Sequence, residues 1–209
     1  MSFGLVKYNN NSISAVTSAQ NVGSGDMVLI KTLTASSSAN LSFVHGSSDV
    51  VLDDTYPIYI FKMINIHPAT NDVNFRVNFS TDSGSSYNVT KTSTVFVAYH
   101  QEDGGDAALL YSTGRDLAQS GSVQKLVNNL GGDNDQCASG ELILFNPYSN
   151  EFVKNFLAEM TYTESSDQAW RSNVSGYNNT TSAINAVQFS MSSGNIESGD
   201  IKLYGIKDS

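Results

Sequence analysis

Three histidines, His45, His67 and His100, are the first residues to weigh for chemistry, and each stands alone. No His-x-x-x-His or His-Glu-x-x-His spacing occurs, so no zinc centre built from paired imidazoles is offered. His100 is followed by Glu102, Asp103 and Asp106, a set that could contribute to a divalent-cation site. Calcium takes about six to eight oxygens. One short loop falls short of that, and a solvated acidic loop is the simpler reading. Asp133-Asn134-Asp135 and the group Asp49, Asp53, Asp54 are similar: conceivable calcium contributors, ordinary turn residues by preference. No serine lies in a Gly-x-Ser-x-Gly elbow, and no Gly-x-x-x-x-Gly-Lys cradles a phosphate. The expectation is therefore no catalytic residue, no metal and no cofactor. A carboxylate pair for glycoside hydrolysis would meet only in the fold.

Recognition chemistry has better candidates. Tyr87, Tyr148, Trp170, Arg171 and Tyr177 fall in predicted loops. Aromatic rings stack on the apolar face of a sugar, and exposed Tyr, Trp and Arg are also enriched at protein interfaces. For Trp170, partial burial at a sheet end is the simpler alternative. The single Cys137 excludes an internal disulfide and reads as a plain thiol at a strand entrance.

Composition narrows the partners. A net charge of -9 with 11 Lys and Arg in 209 residues argues against nucleic acid, which is bound by displacing phosphate counterions with basic side chains. With only 15% charged residues, solubility rests on Ser, Thr, Asn and Gly, and long helices with charged outer faces are disfavoured. No apolar run of about 20 residues predicts a membrane span. No basic-then-apolar start predicts a signal peptide. Synthesis in a cytoplasm fits both.

The elements that must position these residues read as strands. Met27 to Thr34, Leu41 to His45, Val50 to Leu52 and Tyr56 to Ile66 come first, the last apolar on both faces and so predicted as a central strand or one facing another subunit. Val73, Phe75, Val77 and Phe79 alternate cleanly with polar residues. After the turn at Asp82-Ser83-Gly84 the chain returns as Tyr87 to Ala98, and a hairpin of these two strands is predicted. His100 to Asn134 is irregular, a surface loop or a subunit contact. Within it Val123, Leu126, Val127 and Leu130 have helical spacing closed by Gly131-Gly132, which predicts a short amphipathic helix. Glu141 to Asn146 is a strand. Phe152 to Tyr162 is ambiguous by period, with a strand favoured by its neighbours. A short strand begins at Trp170.

The closing stretch reads as a terminal hairpin. Ala183, Asn185, Val187, Phe189 and Met191 share one face, Ser192-Ser193-Gly194-Asn195 turns, and Ile201 to Ile206 returns. Gly205 there marks a bulge or close backbone approach. Strands of this length and spacing predict an all-β fold, an antiparallel β-sandwich of jelly-roll type over residues 27–209. Residues 1–26 differ, with Asn9-Asn10-Asn11, scattered Ser and a Gly23-Ser24-Gly25-Asp26 link. They read either as a disordered tail or as an arm that attaches through Phe3, Leu5, Val6 and Tyr8.

Thr180 to Ile184, Phe189 to Gly194 and Gly199 to Lys207, with Lys202-Leu203-Tyr204-Gly205, carry a resemblance. So do Ile66-His67-Pro68-Ala69-Thr70 and the turn Ser80 to Tyr87. Over roughly residues 27–209 the chain resembles small structural proteins of tailed-phage virions, common in phages of marine bacteria, cyanophages included. The resemblance implies a non-enzymatic accessory or fibre-like subunit of the virion, tail-associated in preference to a head decoration. It implies other virion proteins as partners and a homo-oligomer, a homotrimer by the threefold habit of fibres. Host surface polysaccharide is a further expected ligand. The family supplies no catalytic motif.

Overall fold

Alternating apolar and polar residues leave each strand with one face to bury. Twelve strands do so in the computed structural model, which describes residues 27–207. In chain order these are β1 (Met27–Thr34), β2 (Asn40–Val44), β3 (Ile58–Pro68), β4 (Val73–Ser80), β5 (Lys91–Gln101) and β6 (Ala107–Tyr111). They continue as β7 (Gln124–Leu130), β8 (Ala138–Phe145), β9 (Lys154–Glu164), β10 (Gln168–Asn178), β11 (Ala186–Met191) and β12 (Ile196–Ile206). Every pairing between them is antiparallel. No helix occurs among the described residues.

The all-β expectation holds, and the sheet is nearly closed into a barrel. Its ring runs β12-β3-β8-β9-β7-β4-β11-β2. Two thin joints complete it. Leu130 of β7 pairs with Glu164 at the end of β9, and Ser38, just ahead of β2, exchanges two 2.8 Å backbone hydrogen bonds with Ile196 of β12. The sheet forks at β9, where β10, β5 and β6 extend away from the ring, while β1 extends it beyond β12. The arm residues Phe3, Leu5, Val6 and Tyr8 lie outside the described residues.

Several expectations are corrected here. The run after Val123 is not helical: Gln124 to Leu130 forms β7, paired with β4. A register shift at Phe75 and a left-handed backbone at Asn129 (φ 54°) break its period of two. Leu126, Val127 and Leu130 all reach the core despite their spacing. The β4–β5 hairpin does not form. β4 lies between β7 and β11, and β5 between β10 and β6. Two strands with one apolar face each can meet across a core as well as edge to edge, and alternation does not choose between these. The terminal hairpin fails for the same reason: β11 sits between β4 and β2, β12 between β1 and β3. Val50 and Leu52 are buried but lie in irregular chain, not a strand.

Other readings hold. β1 has the predicted bounds, β3 is central between β12 and β8, and the ambiguous 152–162 run is strand from Lys154 onward. At Gly205 the Tyr56 ring occupies the space a side chain would need, so the close approach is real.

Inside, phenylalanines join the two sides of the ring. Phe189 stacks on Phe75 at 5.8 Å and meets Phe61 at 5.6 Å and Phe43 at 6.3 Å, while Phe79 meets Phe156 at 5.4 Å. One end of the core is polar. Lys91, Asn178 and Lys154 form a cross-strand row on β5, β10 and β9, all fully buried. Lys91 Nζ donates to Asn78 Oδ1 (2.6 Å) and Val89 O (2.7 Å), and Lys154 Nζ to Phe152 O (2.8 Å) and Thr180 O (3.1 Å). These acceptors are neutral oxygens, and desolvation lowers both lysine pKa values.

Candidate functional site on the outer sheet face

Residues that point away from the core on β3, β8, β9, β10 and β5 form the surface with the most recognition chemistry. Strand alternation sorts them into rows. Lys62, Glu141 and Glu159 stand side by side across β3, β8 and β9, and Arg171 of β10 reaches Glu159 diagonally. The next row runs Ile143, Leu157, Ser175 and Thr94 across β8, β9, β10 and β5. Asn155, Tyr177 and Thr92 follow on β9, β10 and β5.

Two clefts open on this face. One, of about 510 Å³, is lined by the four charged residues. Lys62 Nζ lies 3.1 Å from Glu141 Oε2, and Arg171 pairs with Glu159. Glu141 and Glu159 are direct cross-strand neighbours, an arrangement of like charges that destabilises a sheet by itself. Each carboxylate has its own cation, so the row works as a charge-compensated ladder. A glycosidase needs two carboxylates set in different environments, which this symmetry of pairing does not provide. Lys62→Ala and Arg171→Ala should each lower stability by about 0.2–1 kcal/mol at low salt. The loss should shrink in about 1 M NaCl, where charges are screened within roughly 3 Å. Urea unfolding at both salt levels checks this; a loss independent of salt would mean the cations act by packing alone.

The second cleft, about 670 Å³, is lined by Tyr177, Phe145, Leu157, Thr92, Thr94 and Asn155 among others. Gly176 faces inward here, and Phe156 packs where its side chain would stand, its Cζ 2.8 Å from that position. Rings and a leucine with hydroxyls and an amide around them suit a ligand with an apolar face and polar edges.

The predicted recognition residues do not form one cluster. Arg171 and Tyr177 share the outer face of β10 but lie six residues apart, about 20 Å along a strand. Trp170 points to the other side. Its ring stacks with Tyr99 at 4.7 Å and Tyr162 at 6.2 Å, and the Arg115 guanidinium sits over it at 5.0 Å. Its Nε1 donates to Gln168 Oε1 at 2.9 Å. That ring is already engaged, which supports the partial-burial reading. Burial raises the Tyr162 pKa, and the hydrogen bond to Asp106 raises that of Tyr99. Tyr87 is half-buried between β4 and β5, and Tyr148 is exposed in the β8–β9 turn. Sequence reasoning missed Phe145, Leu157 and Phe96 on the outer face. Their signal was an apolar residue in the polar phase of an alternating strand.

Two of the histidines make structural contacts. His45 Nδ1 accepts from the Leu52 amide at 3.2 Å, and His67 contacts Gln136 O at 2.7 Å and Glu197 at 3.3 Å. His100 is exposed on β5. Cys137 is half-buried with its Sγ 3.9 Å from Asn65 Oδ1. Among the described residues no group of three or more His, Cys, Asp or Glu could hold a metal ion. No family model, curated protein or solved structure matches the chain.

Proposed function

We propose that this chain is a non-enzymatic structural subunit of a tailed-phage virion, a tail-fibre or tail-associated accessory protein working as a symmetric homo-oligomer. The observation that supports assembly is an apolar outer surface on the extended sheet. Met27 and Leu29 on β1, Leu157 on β9, Phe96 on β5 and Leu109 and Tyr111 on β6 are all exposed. Exposed apolar side chains shared by the strands of one sheet suit a surface that another protein covers. The virion context comes from the resemblance of the terminal strands and the Ser80 to Tyr87 turn. In this reading the described strands form a rigid, jelly-roll-like body, and residues 1–26 attach it to other virion proteins through Phe3, Leu5, Val6 and Tyr8. A homotrimer is the symmetry the resemblance favours. Protein made in the host cytoplasm would join the particle there.

Light scattering of the full chain beside a chain starting at Met27 tests the assembly role of the first segment. An oligomeric full chain and a folded, monomeric truncation are expected, with loss of incorporation into particles. A truncated chain that cannot fold would place residues 1–26 in the core and remove the attachment role. A head-decoration role is the alternative position on the particle. The Tyr177 cleft supports a second reading, a receptor-binding subunit for host polysaccharide.

A further inference from the structure

Strand β6 is the feature of this sheet that the described chain leaves unfinished. Among the described residues it pairs only with β5. Gln101 N–H bonds Asp106 O at 2.9 Å, and Ser112 N–H bonds Val95 O at 2.8 Å. Antiparallel alternation then turns the backbone groups of Ala108 and Leu110 toward β5 and those of Ala107, Leu109 and Tyr111 outward. Ala107 N–H is met by its neighbour Asp106 Oδ1 at 2.9 Å. Both faces of the strand are exposed as well: Leu109 is 73% accessible, Tyr111 53% and Leu110 40%.

Natural sheets guard free edges with lysine, proline, bulges or a covering segment. The other two ends of this sheet show such devices: β1 carries Lys31, and the entry to β2 is tied to β12 by the Ser38 bridge. The β6 sequence, Ala-Ala-Leu-Leu-Tyr, has no charge, proline or glycine. An edge like this accepts an extended chain, and its neutral side chains ask for an apolar one.

We propose that β6 docks on β6 of a second copy of this chain, antiparallel and centred on Leu109. This register places Leu109 opposite Leu109, Ala107 opposite Tyr111 and Ala108 opposite Leu110. Small residues face large ones on both sides of the joined sheet. It also sets every outward backbone group opposite another outward group. With Ala107 N–H kept by Asp106, about four inter-copy hydrogen bonds form. The acidic residues near the strand, Asp106 and Asp116, are already bonded to Tyr99 and Tyr111 hydroxyls at 2.6 Å. No lysine or arginine on β6 opposes its symmetry mate.

The contact is two-fold. It can stand alone or join two copies belonging to different trimers. It rests on the assembly part of the proposed function, not on the virion. A five-residue strand contact sits at the small end of interface sizes, so the association is expected to be weak and reversible in solution.

The test is a cysteine at the centre of the register. Leu109→Cys in a Cys137→Ser background puts two Cα atoms about 5.5 Å apart, within disulfide reach. Mild oxidation at high protein concentration should give a covalent dimer. Leu157→Cys in the same background, exposed on the same face but away from the edge, should give at least tenfold less. Sedimentation should show a concentration-dependent pairing of the unaltered chain, of single copies or of trimers, and Leu109→Lys should weaken it at least tenfold. Equal cross-linking at the two cysteines, pairing that survives Leu109→Lys, or no pairing at any concentration would each overturn the proposal. So would cross-linking of the Leu109→Cys variant that appears only when residues 1–26 are removed, because that segment would then be the occupant of β6. A chain starting at Met27 keeps β6, so it should lose the larger oligomer in dilute light scattering yet still pair at high concentration in sedimentation; loss of the first without the second concerns only residues 1–26, so the two ideas fail separately.

Discussion

Phe189→Ala is expected to lower the unfolding free energy by about 3–5 kcal/mol, the range for emptying a buried phenylalanine site. Phe189 is fully buried on β11, in the four-strand part of the ring, and its ring meets Phe75 of β4, Phe43 of β2 and Phe61 of β3. β2 and β4 flank it in the same part of the sheet, whereas β3 belongs to the opposite wall. Loss of the ring therefore removes a contact across the core and leaves a cavity between walls that the thin joints at Leu130 and Ser38 cannot draw together. Aromatic pairs add about 0.5–1.5 kcal/mol each beyond burial, so the upper part of the range is expected. A domain is stable by about 5–15 kcal/mol in all, and this one substitution should shift the urea midpoint by a large fraction. Phe189→Leu should cost less, because it keeps most of the volume. If Phe189→Ala costs under about 1 kcal/mol, against the range for such sites, the two walls are held together elsewhere and the aromatic cluster is not the keystone.

That cluster shows what the sequence could and could not tell. Alternation placed Phe75, Phe79, Val187 and Phe189 on inner faces, and all four are buried. The strand content and the central position of β3 were legible for the same reason. Partners were not. β4 and β5 follow one another across a turn, as do β11 and β12, yet neither pair is joined as a hairpin. Local pattern sets which face is buried but leaves pairing to long-range register. Two register shifts against β4 disguised β7 as a helix: an extra residue at Leu126 gives a spacing of one between inward residues, and one beside Asn129 gives a spacing of three. At the candidate site, Arg171 and Tyr177 were found as types, but Leu157, Phe145 and Phe96 were not. Their meaning appears only when neighbouring strands align them into one surface. The buried lysines were the least legible. Lys91 sits in a polar stretch and Lys154 after Phe152-Val153, both at strand starts, where lysine ordinarily meets water.

Lys91 makes a prediction of comparable size. Burial lowers its pKa from 10.5 to about 8. Between those values the unfolded chain holds a proton that the folded chain has released, so stability rises with pH across this window. A shift of that size corresponds to about 3 kcal/mol, absent below pH 8 and gained by about pH 10.5. Lys154, lowered in the same direction by desolvation, adds to the slope. Tyr59 acts oppositely. Its burial and its contact with Asp53 help push the phenol pKa up to about 12. Above pH 10 the folded chain therefore keeps a proton that the unfolded chain loses, and stability falls. The expected profile climbs from pH 8, peaks near pH 10 and then declines, unlike the flat or falling alkaline limb of a protein with surface lysines. Lys91→Met keeps the apolar stem and removes the titrating group, so most of the climb should vanish. At pH 7 the variant trades a desolvated ammonium for the loss of two accepted hydrogen bonds, at Val89 O and at Asn78 Oδ1, which still accepts from Phe79 N–H at 3.0 Å, and its net change there should be smaller than the change in slope. Urea unfolding at pH 7, 8, 9 and 10 for both proteins decides it. Equal slopes would mean that the lysine reaches water in solution, and that the polar end of the core opens far more readily than its packing implies.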